Sequence, residues 1–183
     1  MMRNPLAAYT HWLHTRWPAG MVERGPLVQP NGSTNVPGVF VVGDLTGVPL
    51  LKFSADTGAR AVMTLDAEAT FQARDTSDPA VIDIAIVGGG VSGFAAAKEA
   101  HKRGLSYVLI EAAQPFSTIV NFPKKKPIFT YPTAMTPAGD LQFNAKSHIK
   151  EGLLEDLQEQ TLDQGIAVRH AKVDRIERSG KTL

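Results

Sequence analysis

Between Ile82 and Glu111 the chain passes from a largely apolar stretch into Gly88-Gly89-Gly90, then into a small-residue run, and then into a second apolar stretch. Few architectures satisfy that order. Ile82–Val87 reads as a strand buried on both faces, and Ser92–Arg103 as a helix stopped by Gly104, a residue favoured just past a helix end. The stretch from Ser106 to Glu111 reads as a second buried strand. Strand, tight turn, helix and strand within about 30 residues is the βαβ unit of a parallel sheet. The neighbouring segments must fit around this unit.

The glycines fall as GxGxxG at Gly88, Gly90 and Gly93, each with a separate physical duty. Gly88 permits the sharp turn, Gly90 lets a pyrophosphate approach the backbone, and Gly93 lets the helix pack against the sheet. Gly89, Val91 and Ser92 complete the turn and bring the first helical amides, with their partial positive charge, to the phosphates. Eighteen positions after Gly93, at the end of the second strand, stands Glu111. A carboxylate there accepts hydrogen bonds from ribose hydroxyls and repels a 2′-phosphate, which disfavours NADP at this turn. Spacing alone does not separate NAD from FAD.

Resemblance goes further. The Asp83–Ala112 stretch resembles the FAD-binding entry of the two-dinucleotide-domain flavoproteins, the thioredoxin-reductase-like branch of the pyridine nucleotide–disulfide oxidoreductases. Asn121-Phe122-Pro123, ten residues beyond Glu111, is similar to a recurring element of that family. So are the expected Leu153–Gly165 helix and the strand expected from Val173 onward, whose start, by resemblance, contacts adenine through its backbone. Thr34, Pro37, Gly38, Phe40, Gly43 and Asp44 match the family's second motif, T-x-x-P-G-x-[FY]-x-x-G-D. There the resemblance implies a short strand, Val39–Val42, a turn at Gly43, and Asp44 bonded to the ribityl chain. The helix after it would direct its positive end toward the flavin.

Two departures matter. In the family the Gly-Asp motif closes the FAD domain, whereas here it precedes the glycine turn. Either the order is permuted and Asp44 shares one flavin with Gly88–Gly93, or Asp44 ends an earlier module. The Met-Met start and the lack of a second glycine fingerprint favour permutation. The chain also has no cysteine, so the family's dithiol chemistry cannot be carried over.

Composition sets outer bounds. Across 183 residues, 43% are hydrophobic and 20% charged, with a formal net charge of +1. These values suit a globular domain and give no global field for nucleic acid. No apolar run approaches the roughly 20 residues of a membrane span, and the start lacks a signal-peptide pattern, so a cytoplasmic protein is expected. Three parts are expected: a Gly-Asp segment over 1–66, a linker over 67–80, and a Rossmann-like FAD-binding domain over 81–183. The last is read as truncated, because an alternating strand over Ile166–Leu183 has no room for a returning partner.

His11 and His14 have metal-compatible spacing but no third ligand nearby, and no metal site is expected. Lys124–Lys126 is read as a solvated loop, against the alternative of a nucleotide-phosphate or acidic-partner contact. Tyr131 is a weaker candidate for the substrate side, and His101 and His170 receive no role. The fold class is α/β with a parallel Rossmann-like sheet. The function the resemblance implies is an FAD-dependent oxidoreductase taking hydride from NAD(P)H to a small-molecule or protein acceptor. The rivals are an NAD-binding dehydrogenase or sensor, and a non-catalytic remnant. Catalytic side chains are not assigned, and homodimer formation stays open.

Overall fold

A computed structural model describes Leu6, residues 27–143 and residues 148–178. In it, α1 (Leu51–Ala67) and the one-turn α2 (Ala69–Gln72) precede β1 (Ile84–Val87), α3 (Val91–Lys102) and β2 (Tyr107–Glu111). The short α4 (Ser117–Val120), α5 (Lys150–Glu159) and β3 (Val168–His170) follow, with 3₁₀ turns at Gly43–Thr46 and Leu162–Gln164. The strands form one parallel sheet in the order β1-β2-β3. Ile84 pairs with Tyr107 and Val87 with Ile110, while Leu109 pairs with Val168 and Glu111 with His170. This is the α/β fold expected, with the βαβ unit at its centre.

The core lies between the sheet and its helices. Phe94, Ala97 and Ala100 of α3 are fully buried, as are Leu157 of α5 and Ala55 of α1. Apolar residues at helical spacing on α5 put Leu153 and Leu157 inside. Ile149 precedes the helix, bridges to Pro127 and is 45% exposed.

α1 crosses α3 at very short range. A Cβ on Gly58 would stand 2.1 Å from the Ser92 carbonyl oxygen. Small residues on both helices, Ala55 and Ala59 on one and Ala95 and Ala96 on the other, remove the bulk that would hold them apart. The residues after Ala67, expected as a linker, begin with α2 and run on to Arg74. Its guanidinium pairs with Asp83 at the foot of β1. Asp83 also accepts the Ser106 amide at 2.8 Å and the Ser106 hydroxyl at 2.9 Å, so one carboxylate fastens the entrances of both central strands.

Three strand expectations are corrected. Residues 39–42 form no strand; Phe40 makes a single antiparallel bridge to Ser33. Its glycine and proline neighbours leave too little regular backbone for a ladder. β1 is not buried on both faces, since Ala85 and Val87 are exposed, Val87 at 54%. The final strand stops at His170, and residues 171–178 are irregular and largely exposed. There the Ala171 amide makes one last bond to the Glu111 carbonyl, at the point where β2 itself ends.

Gly58→Ala is expected to destabilise the fold by about 1–3 kcal/mol through overpacking against backbone, despite alanine's better helix propensity. Chemical denaturation checks it; an unchanged midpoint refutes the crossing. The Asp83 carboxyl is held below its usual range first by its hydrogen bond from Arg74, with Ser106 assisting. A depressed folded pKa gives stability that is full above the unfolded value, about 4, and is lost as pH falls through the folded one. Asp83→Asn is therefore expected to cost about 1 kcal/mol at pH 7 and to narrow its deficit below pH 4, read from unfolding curves across that range.

Candidate functional site

The α1–α3 crossing brings together the two glycine elements that the sequence separates. Gly43 has a φ of +71° in the left-handed region, and a Cβ there would lie 2.6 Å from Ser92 Oγ. Its amide donates to Thr57 Oγ1 at 2.9 Å, and Asp44 Oδ1 accepts the Ser54 hydroxyl at 2.8 Å. Ser54 and Thr57 lie three apart on α1, so the helix that packs on α3 also fixes the Gly-Asp turn. A cavity of about 840 Å³ opens beside these residues, within the range of small-molecule and cofactor sites. Asp44, Gly88, Gly90, Val91, Ser92 and Gly93 all line it. Gly43 sits directly behind this lining, buried against Ser92.

The glycine turn divides its labour physically. Gly88 has a φ of +106°, accessible to glycine at little cost. A Cβ on Gly93 would come within 1.9 Å of the Gly88 carbonyl oxygen, so that position must be bare for the turn to close. Gly90 differs: its backbone is extended at φ −85°, and a Cβ there would meet nothing within 4 Å. The protein does not require glycine there; the empty space before it does. Amides of the first turn of α3 have no intrahelical acceptor, and no side chain caps them. They face that space with the positive end of a 12-residue helix. The start of the 17-residue α1 borders the same cavity through Leu50, Leu51 and Ser54. Backbone open to a cavity and two positive helix ends fit a dinucleotide, whose diphosphate needs donors without a side chain in the way.

Glu111 stands at the end of β2 but is only 9% exposed and does not line the cavity. Its Oε2 accepts the Gly89 amide at 2.6 Å and its Oε1 the Ala113 amide at 2.8 Å. It thus clamps the glycine turn to β2; each oxygen keeps a further lone pair for a hydroxyl. Val173, expected to open a strand, lies half-buried in the irregular segment after β3. That segment reaches the Gly-Asp side instead. Ile176 lines the cavity, and the Arg178 guanidinium donates to the Pro37 carbonyl.

One residue of the site, Phe116, was not singled out from sequence. Phe116 holds φ at +56°, rare for a bulky side chain. Its amide donates to the Gly89 carbonyl at 2.8 Å, and its ring stacks on Phe94 at 4.5 Å. Lys126, read with Lys124 and Lys125 as a solvated loop, is exposed as they are, but it also lines the cavity, with its ammonium 3.6 Å above the Phe122 ring. Tyr131 is 55% exposed, leans on Phe129 and is not among the lining residues. His101 and His170 are exposed. His11 and His14 lie outside the described residues, among which no group of His, Asp or Glu is disposed to hold a metal. No helix of the described residues is long and apolar enough to cross a membrane.

Residues 83–122 match the family model of an FAD binding domain. The match spans β1, the glycine turn, α3, β2, α4 and the Asn121-Phe122 pair. It supports FAD as the nucleotide and an FAD-dependent oxidoreductase family as the relative of this stretch. No curated protein and no solved structure matches the chain.

Gly90→Ala separates folding from binding. Its methyl group enters empty space at an allowed φ, so the ligand-free melting temperature is expected to stay within about 2 °C of wild type, as for a substitution worth under 0.5 kcal/mol. FAD affinity is expected to fall about tenfold or more, because the methyl group takes the place of the approaching diphosphate. Titration of flavin fluorescence checks the second part; full affinity rules out a diphosphate at this turn.

Proposed function

We propose that this chain holds FAD as part of a flavin-dependent oxidoreductase, in which hydride from NAD(P)H passes through the flavin to a small-molecule or protein acceptor. The observation that carries the reading is the convergence of two separate glycine elements on one cavity. The Gly88–Gly93 turn supplies bare amides for the diphosphate, and Glu111 stands behind it for the adenosine ribose. Asp44, oriented by the Ser54 hydroxyl, offers a carboxylate to the ribityl hydroxyls. The N-terminus of α1 beside it favours negative charge on a reduced flavin.

In this reading the redox chemistry belongs to the isoalloxazine, which accepts hydride and passes electrons on. The chain's own side chains bind, orient and enclose; none is assigned a proton-transfer step. With no cysteine in the sequence, electrons leave the flavin without an internal dithiol. A second nucleotide-binding glycine turn is absent from the sequence as well. NAD(P)H is therefore taken to reach the flavin from outside the described cavity, or from another polypeptide.

Purified protein is expected to bind one FAD per chain. Saturation at a hundredfold excess over Kd stabilises by about 2.7 kcal/mol, or roughly 5–10 °C in melting temperature. A melting temperature raised by NAD and indifferent to FAD would replace this reading with an NAD-binding module. Indifference to both would leave a non-catalytic remnant. With FAD bound, anaerobic NADPH is expected to bleach the flavin absorbance slowly or not at all, and fast bleaching would show that the chain itself accepts the nicotinamide.

A further inference from the structure

The cavity is poor in charge. Among the described residues that line it only Asp44 and Lys126 are charged, whereas a flavin dinucleotide brings two negative charges on its diphosphate. Asp44 has the wrong sign for them. Lys126 has the right sign, and no carboxylate of the described residues pairs with it. Its position is fixed at both ends. The Phe122 ring lies beneath the ammonium at 3.6 Å, and the Lys126 carbonyl accepts the Lys150 amide at 2.9 Å. Lys150 Nζ in turn binds the Val120 and Phe122 carbonyls, and its backbone opens α5. On the other side, the Phe116 amide ties the start of this segment to Gly89. A lysine reading as one of a solvated triplet is thus delivered to the lining of the cavity by a braced segment tied at its start to the glycine turn.

We propose that Lys126 is a binding residue for the diphosphate of the dinucleotide, supplying the one positive side-chain charge among the described residues that line the cavity to a site otherwise built of backbone amides. The inference rests on the FAD reading above and adds to it a residue outside both glycine motifs. The ring of Phe122 restricts where the ammonium can go. Less freedom is then lost when the anion arrives than for a free surface lysine.

The test compares FAD binding by wild type, Lys126→Gln, Lys126→Glu, Lys126→Arg and Lys124→Gln, read from flavin fluorescence at low salt and at about 1 M, where the screening length falls to about 3 Å. At low salt Lys126→Gln is expected to bind about fivefold more weakly, the scale of one partly exposed ion pair. Lys126→Glu should be weaker still. Lys126→Arg should bind within about twofold of wild type, and the Lys126→Gln deficit should close at high salt. Lys124→Gln, which does not line the cavity, should match wild type. The proposal is overturned if Lys126→Glu binds as wild type does, or if the Lys126→Gln deficit persists at high salt, which would make the residue a packing element on Phe122. It is equally overturned if Lys124→Gln reproduces the loss. Ligand-free melting temperatures show whether any variant is misfolded, and Lys126→Arg then carries the test. Failure of the wild-type chain to bind FAD would instead sink the parent reading, a result separable from any of these.

Discussion

The contact between Gly58 and the backbone of Ser92 is the constraint from which the site follows. Two helices separated by the whole segment from Glu68 to Gly90 approach so closely that α1 has no room for a side chain at position 58, where it meets the Ser92 backbone. Because α1 is pinned there, its first turns hold Gly43 and Asp44 against the start of α3. The Gly-Asp turn has little support of its own: it is a four-residue 3₁₀ turn closed by the Thr46 hydroxyl on the Gly43 carbonyl. Its place comes from Thr57 and Ser54, and theirs from the crossing.

Hydrogen bonding explains why the glycine turn keeps its shape before any ligand arrives. The Gly88 amide donates to the Ile110 carbonyl, the Gly89 amide to Glu111, and the Gly89 carbonyl accepts from Phe116. These bonds use the groups facing the protein and leave those facing the cavity unused. An acid at the end of β2 can therefore be required by the turn itself and still keep lone pairs for a sugar. The two roles use different electron pairs of one carboxylate, so neither argues against the other.

Much of the fold was legible because it rests on local rules. Apolar runs, the glycine spacing and Gly104 placed β1, α3 and β2 to within two residues. Legibility failed where a strand depends on what lies beside it. Val39–Val42 has strand-like composition, but among the described residues it meets only 32–34, through a single antiparallel bridge. Residues 171–178 alternate well, yet they turn away to Pro37 instead of extending β3. Ala85 and Val87 read as buried because parallel sheets are normally covered on both sides, whereas this face of β1 opens onto the cavity. The site was half legible. Both motifs carried their own signal; Phe116 carried none, and the phosphate alternative for Lys124–Lys126 singled out no one lysine, whereas in the fold only Lys126 of the three lines the cavity. Ser54 and Thr57 likewise gain their role only from Gly43 and Asp44 standing opposite them.

On the far side of α1 the Lys52 ammonium, 8% exposed, is enclosed by the carbonyls of Pro132, Thr133 and Met135 at 2.7 to 3.1 Å. Three carbonyl oxygens converging on one point repel one another unless a cation sits between them. The shape of that chain segment is thus written partly at a position eighty residues earlier. In any lineage of this sequence, the identity of residue 52 and the path of 132–135 would have to change together, or not at all.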